Sequence, residues 1–408
     1  MHLPGPATID LVYFNAGGGH RASALALQAS IERLGWPWTV RLVNLFERLD
    51  PGDSFRRLTG FAPEAVYNQR LARGWTLGLA QELKLLQAAI RVAHPTLLRR
   101  LREHWAASEP DLVVSLVPNF NRAMGQALAE ALPGVPFVTV LTDLADHPPS
   151  FWIEPGVGQH VVCGTPRAAA QARAAGLPAS HVHASSGMIL RPAFYAPRLT
   201  DGERAAERRR LGLDPQRPTG LVMFGGQGSK AMLGIAQALH DTQLVLVCGH
   251  NEPLAAKLRA LPASAPRHVL GFTSDIPRCM QLADFFIGKP GPGSVSEAVQ
   301  QDLPVIVVRN AWTMPQERYN AQWVLDEGLG RVLPSFKGIG AAVAQLVAGL
   351  DGYRAAVARI DNRAVFEVPQ ILARLLADAQ RMGGTLQGQT LVNQDALGRP
   401  SIGADRSR

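Results

Sequence analysis

Ile9-Asp10-Leu11-Val12-Tyr13-Phe14-Asn15-Ala16-Gly17-Gly18-Gly19-His20-Arg21-Ala22-Ser23 is an apolar, β-branched and aromatic run that ends in three glycines and a histidine. The run predicts a strand, the glycines a tight turn, and the continuation from Ala22 to Arg33 a helix. Glycine takes up dihedrals closed to other residues and lets a ligand come close, with Gly19 next to the helix start. The free N–H groups and positive dipole end of such a helix favour an anion or a polar ligand. His20 on this turn titrates near neutrality and can take a proton. A structural turn beside a surface histidine would read the same in this stretch alone, because the spacing is neither G-x-G-x-x-G nor G-x-x-x-x-G-K-[ST].

The alternation that starts there continues. Further strands are predicted at 39–44, 112–116, 137–141 and 160–163, with helical stretches between them. Proline brackets a linker at Arg191-Pro192-Ala193-Phe194-Tyr195-Ala196-Pro197. A charged helix over 201–211 follows, and strands resume at 220–224, 243–248, 268–272, 284–288, 304–308 and 330–333. Two successive βα arrays predict an α/β protein with two parallel sheets, each covered by helices on both faces. Ligands of such sheets bind beyond the carboxyl ends of the strands, so a cleft between two domains is expected. The expected division is 1–192, 193–380 and a polar, unstructured tail over 381–408.

A length of 408 residues suits two domains, and 47% apolar with 18% charged residues suits a globular chain. No apolar run reaches the ~20 residues that span a bilayer, and no secretory leader is read at the N-terminus. Three separated cysteines, Cys163, Cys248 and Cys279, have no metal-ligand spacing and read as buried thiols. The expected address is the cytoplasm. Residues 48–104 hold ten basic residues against five acidic ones, mixed with Phe55, Phe61, Tyr67, Trp75 and several leucines. Such a mixture suits an anionic membrane surface, or else a solvated helical face over a core. No nucleic-acid motif accompanies the charge, so nucleic acid is not an expected partner.

Three further loops carry polar chemistry. Gly225-Gly226-Gln227-Gly228-Ser229 again follows a strand, and Gly226, Gly228 and Ser229 fit a phosphate-facing turn. Gly288-Lys289-Pro290-Gly291-Pro292-Gly293-Ser294-Val295-Ser296-Glu297 opens a helix near Gly293. Ser294 and Glu297 have capping-box spacing, which would give Glu297 a structural task. Equally, Glu297 can accept from the vicinal hydroxyls of a ribose whose phosphates meet the helix start. Gln316, Glu317 and Asn320 offer amide and carboxylate groups to sugar hydroxyls. Asp143, at a strand end, is the second catalytic candidate, supporting His20 or the acceptor hydroxyl, or else forms a turn. His147 beside Pro148 is expected to shape a loop, and His250 to lie near the cleft. No HExxH pattern or acidic pair at a strand end suggests a metal.

Gly17 to Ala24, Thr142-Asp143-Leu144 with His147, Pro148 and Trp152, Val247-Cys248-Gly249-His250-Asn251, Lys289 to Ser294 with Glu297, and Gln316-Glu317 before Asn320 occur in that order. Together they resemble the monogalactosyldiacylglycerol synthase family, relatives of the glycosyltransferase that builds lipid II, over roughly residues 9–380. The resemblance implies two Rossmann-like domains facing across a cleft, the glycosyltransferase B-type fold. It implies a UDP-sugar bound by the second domain, a lipid acceptor met by the first, inversion at the anomeric carbon and no metal or other cofactor. It makes His20 the general base and Glu297 the ribose ligand, and puts Gln316 and Glu317 near the donor sugar. Gly226, Gly228 and Ser229 fall near the diphosphate, and Phe272 falls where backbone groups meet the uracil.

The expected function is therefore transfer of a hexose from a UDP-sugar to a lipid, with diacylglycerol the leading acceptor, at the inner face of the cell membrane. A UDP-N-acetylglucosamine transferase, a UDP-sugar epimerase and a non-catalytic nucleotide-sugar binder remain alternatives. The sequence carries no signal of oligomeric state.

Overall fold

The computed structural model describes residues 4–15, 19–50, 52 and 79–397. The first unit holds β1 (Ala7–Tyr13), α1 (Gly19–Arg33), β2 (Trp38–Asn44), α2 (Leu45–Leu49), α3 (Leu79–Ser108), β3 (Leu112–Ser115), α4 (Asn121–Ala131), β4 (Phe137–Val140), β5 (Gln159–Cys163), α5 (Pro166–Ala174) and β6 (Val182–Ala184). The second holds α6 (Asp201–Arg210), β7 (Thr219–Met223), α7 (Ala231–Ala238), β8 (Gln243–Val247), α8 (Glu252–Ala260), β9 (Arg267–Leu270), α9 (Ile276–Gln281), β10 (Phe285–Gly288), α10 (Pro292–Gln300), β11 (Val305–Val308), α11 (Arg318–Asp326), β12 (Gly330–Leu333), α12 (Ile339–Ala348) and α13 (Leu350–Val357). A final helix, α14 (Ala364–Leu397), closes the described chain.

Every strand pairing is parallel, in the orders β2-β1-β3-β4-β5-β6 and β12-β11-β10-β7-β8-β9. Central strands such as β3, β7 and β8 are buried along their whole length, as expected where helices cover both faces. Strand order reverses between β1 and β3 in one sheet and between β7 and β10 in the other. Crevices that bind ligands open at such reversals. The start of α1 with His20 follows β1, the expected glycine turn at 16–18 lying outside the described residues, and the glycine loop and the α10 start follow β7 and β10. Topology alone thus brings the three loops to the mouths of two crevices.

Two expectations need correction. The first sheet gains β6, three residues long, which the sequence reading did not include. The tail expected from 381 is helical as far as Leu397, and residues 398–408 lie outside the described residues. Moreover, α14 does not belong with the second sheet, as a domain of 193–380 would require. Val365, Val368, Ile371, Leu372 and Leu376 pack with Ile9, Leu11, Leu27 and Val138 of the first unit. Ser30 Oγ donates to the Val365 carbonyl at 2.7 Å. Where the chain returns, Asn362 Nδ2 donates to the Met188 carbonyl at 2.9 Å. A Cβ on Gly187 would lie 2.5 Å from Asn362 Cγ, so only glycine allows the two crossing strands of chain to meet.

Part of the basic segment 48–104, residues 51 and 53–78, lies outside the described residues; its second half forms α3. Among the described residues no helix is long and apolar enough to cross a membrane.

Candidate functional site

His20 is the second residue of α1, half-buried at the end of β1. Its Nδ1 lies 3.2 Å from Thr142 Oγ1, and the Leu116 carbonyl also accepts from the ring. Burial outweighs that bond and pulls the imidazole pKa down to about 4, so the ring is neutral at neutral pH. The expected support from Asp143 is not what orients the ring; Thr142, its neighbour just beyond β4, does so. Asp143 Oδ2 instead accepts from Trp152 Nε1 at 2.9 Å. Trp152 is fully buried, with its ring centroid 6.0 Å from that of His20. Burial raises the Asp143 pKa to about 7; the Trp152 bond opposes this, the charge of Glu317 adds to it and Lys289 counters it. Since Glu317 and Lys289 belong to the second unit, the field at Asp143 is felt across the cleft.

The backbone of His147 is fastened in place, while both of its ring nitrogens are buried without a hydrogen-bond partner among the described residues. Gln171 brackets its backbone, accepting from its N–H at 3.1 Å and donating to its carbonyl at 2.7 Å.

Opposite lies the glycine loop after β7. Gly225 and Gly228 have φ of +73° and +60°, a region open chiefly to glycine. The loop is fastened to the turn after β8: His250 N–H donates to the Gly226 carbonyl at 2.8 Å, and Asn251 Nδ2 to the Gln227 carbonyl at 3.1 Å. A Cβ on Gly249 would lie 2.1 Å from the Gly226 oxygen. Ser229 Oγ accepts from Ala231 N–H at 3.2 Å, which steadies the start of α7. The His250 ring stacks on Phe272, centroids 4.1 Å apart, and Phe272 is 63% exposed at the cleft edge.

The third loop departs from the capping-box expectation. Gly291 is the N-cap of α10, with no side-chain cap, and Ser294 and Glu297 both lie inside the helix. The first-turn N–H groups near Gly293 and Ser294 therefore have no side-chain acceptor from this cap. Glu297 is half-buried and, among the described residues, accepts from no protein donor. Burial raises its pKa to about 7, against the pull of Arg191. Lys289 Nζ meets Glu317 Oε1 at 3.0 Å. Gln316 is half-buried on the same short turn, with Nε2 3.7 Å from Met314 Sδ. Asn320 differs from expectation: it is fully buried, and Nδ2 donates to the Pro290 carbonyl at 2.8 Å. It scaffolds the loop that a sugar would meet.

Thr142, Lys289 and Arg191 were not singled out by sequence reasoning. Lys289 stood inside the quoted loop, and Thr142 beside Asp143 at a strand end, so position in the topology was the available signal. Among the described residues, no group of three or more His, Cys, Asp or Glu is arranged to hold a metal.

Comparison with known proteins agrees with this layout. Residues 221–349 match the glycosyltransferase family 28 C-terminal domain. The chain is 29% identical over 83% of its length to monogalactosyldiacylglycerol synthase of spinach and to the synthase 1 of Arabidopsis thaliana, both chloroplastic. It takes in 66% and 64% of those proteins, under two thirds of each. Among solved structures, MurG of Acinetobacter baumannii superposes with a TM-score of 0.58 at 16% identity, over 90% of this chain and 100% of that one. The calicheamicin glycosyltransferase CalG4 gives 0.55 at 18%, over 94% and 99%. A UDP-GlcNAc 2-epimerase from Neisseria meningitidis, bound to UDP-GlcNAc, gives 0.55 at 15%, over 91% and 100%. The two-domain fold is thus shared with these solved structures, and residues 221–349 are similar to a glycosyltransferase domain.

Proposed function

This chain, with its glycosyltransferase family 28 domain and its kinship to the monogalactosyldiacylglycerol synthases, is, we propose, an inverting glycosyltransferase that moves a hexose from a UDP-sugar to a lipid hydroxyl, diacylglycerol first among the candidates. The observation that carries this reading is a neutral, oriented His20 on one domain, beside an Asp143 that feels Glu317 and Lys289 of the other, whose uncapped helix start carries Glu297.

In this mechanism Nδ1 holds the ring proton against Thr142 Oγ1, and Nε2 takes the acceptor proton. The acceptor oxygen then attacks the anomeric carbon from the face opposite UDP, so the configuration inverts. The charge of the departing diphosphate falls on the N–H groups of the α10 start and of Gly226 and Ser229, while Gly228 shapes the turn by donating its N–H to the Gly225 carbonyl; this electrostatic role can replace a metal. Glu297 accepts from the ribose hydroxyls. Gln316 and Glu317 take the sugar hydroxyls, with Lys289 holding the Glu317 carboxylate in place.

An acceptor carried in a bilayer calls for a docking surface, and α3 offers one. Leu85 is 70% exposed and Val92 84%, seven residues apart on one helix face, with Lys84 and Arg91 beside them. This supports peripheral attachment to an anionic membrane face.

The test is a screen of radiolabelled UDP-galactose, UDP-glucose and UDP-N-acetylglucosamine against a total lipid extract, with an arm that lacks any acceptor. A labelled lipid of inverted configuration is expected. An altered sugar in the acceptor-free arm would instead indicate an epimerase, an activity found on a protein of this fold.

A further inference from the structure

Beyond the donor loops, an open cavity of about 580 Å³ lies where the two domains meet. Its walls come from both: Asp146 and Arg167 from the first, Arg309, Pro315, Arg318, Tyr319, Gln322 and Asp326 from the second, with Asp326 Oδ1 accepting from Gln322 Nε2 at 2.8 Å. That volume is of the size that takes a small ligand. It adjoins the turn that carries Gln316 and Glu317 and lies away from the stacked His250 and Phe272 by topology. Phe272 follows β9 and the glycine loop follows β7, whereas Arg309 follows β11 and α11 leads to β12, the opposite edge of the sheet. The cavity therefore lies at the far end of the cleft from the stacked pair His250 and Phe272.

Its charges are unevenly satisfied. Arg167 is held by Asp146 through two bonds of 2.7 and 2.9 Å, and its guanidinium lies 4.9 Å from the centre of the Tyr319 ring. Asp146 is thereby taken. Arg309 Nη1 donates only to the neutral Gln322 Oε1 at 2.8 Å, and Arg318 Nε makes a long 3.4 Å contact with the Thr313 carbonyl. Among the described residues neither Arg309 nor Arg318 pairs with a carboxylate. Two unneutralised guanidinium forks, with a third presented from the facing domain, suit the tetrahedral oxygens of a phosphate.

We propose that this cavity is a second anion site that takes a phosphate-bearing ligand between Arg309, Arg318 and Arg167, and so ties the two domains together. The assignment does not depend on which sugar the donor carries. The phosphate can belong to a soluble ester or to a phospholipid headgroup; both present the same anionic oxygens.

The experiment is calorimetric titration of the full chain, saturated with UDP, using inorganic phosphate, glycerol 3-phosphate and dihexanoylphosphatidylglycerol below its micelle concentration. Saturable binding of at least one probe, at one site per chain, is expected. The double substitution Arg309→Gln, Arg318→Gln should weaken it at least about tenfold, in line with the loss of charge-assisted bonds, and leave UDP affinity as it was. Binding of the free phosphates identifies a soluble ester; binding of the lipid probe alone identifies a headgroup. The proposal is overturned if no probe binds, if UDP displaces them all, or if the folded double variant binds like the wild type. Should that variant misfold, Arg309→Gln alone at its exposed position, with the UDP competition in the wild type, decides the matter.

Discussion

His20 Nδ1 and Thr142 Oγ1 lie 3.2 Å apart, a contact between the first turn of α1 and the end of β4 that fixes how the imidazole faces the cleft. An unperturbed imidazole titrates near 6.5, and burial lowers this one to about 4. A base of this kind is in its working form well below neutrality. The acid limb of kcat/KM is therefore expected near pH 4 rather than pH 6.5. His20→Ala should lower turnover by about 10²–10⁴-fold while UDP affinity holds, since the donor loops belong to the other domain. Near-normal turnover in the folded variant would remove His20 from the mechanism.

The same ring bears on stability. Its folded pKa is depressed, so the unfolded chain binds the proton more readily between about pH 4 and 6.5. His20 thus weakens the fold as pH falls through that window and is without effect above it. Denaturant unfolding of wild type and His20→Gln should converge above pH 7 and diverge toward pH 4.5, with the variant the less acid-sensitive of the two.

Glu297 gives a sharper donor prediction than the sequence allowed. A capping box would have confounded Glu297→Ala with helix fraying, but Glu297 caps nothing in α10. The substitution should weaken UDP by roughly 1.5–3 kcal/mol, a charged hydrogen bond's worth, with little loss of thermal stability. With the Glu297 pKa raised to about 7, UDP affinity should also climb between pH 6 and 8 as the carboxylate ionises. Glu297→Gln should flatten that climb; a slope that survives the substitution would assign it elsewhere.

Gly249→Ala tests the mooring of the phosphate loop. The new methyl would sit 2.1 Å from the Gly226 oxygen, at a φ of +60° that alanine resists. Displacement of the loop should raise KM for the UDP-sugar and lower the melting temperature together. An unchanged KM would show that the Gly226 backbone does not meet the donor.

Leu85→Glu with Val92→Glu on α3 should release the protein from anionic vesicles, because both side chains stand in solvent at 70% and 84% exposure. Binding by the wild type should fall with added salt, as charges at a surface are screened over about 8 Å at physiological ionic strength. Equal binding to neutral vesicles would contradict the electrostatic half of the reading.

Most of the framework was legible because buried parallel strands write themselves as short apolar runs, as Leu244-Val245-Leu246-Val247 does. β6 was not: Val182-His183-Ala184 is brief, and its polar histidine hides the strand pattern. The apolar face of α14 was visible in Val365, Val368, Ile371 and Leu372, yet nothing local says which sheet a helix will cover. Likewise Ser294 and Glu297 have the spacing of a cap, but Pro292 starts the helix two residues earlier and carries both inside. Asn320 has the chemistry of a sugar ligand, and only the fold reveals that Pro290 occupies it. Side-chain type was readable; the partner each side chain finds depends on distant chain.

That α14 shares a core with β1 also sets an order of events during synthesis. Ile9 and Leu11 emerge from the ribosome more than 350 residues before Val368, Ile371 and Leu372. One side of the first sheet must wait, covered by α1 alone among these helices, while the whole second unit is made. Contacts of such long sequence separation form slowly, and exposed apolar sheet surface invites aggregation in the interval. A nascent chain halted after residue 363 would leave the part of that face covered by Val365, Val368, Ile371 and Leu372 open to chaperones.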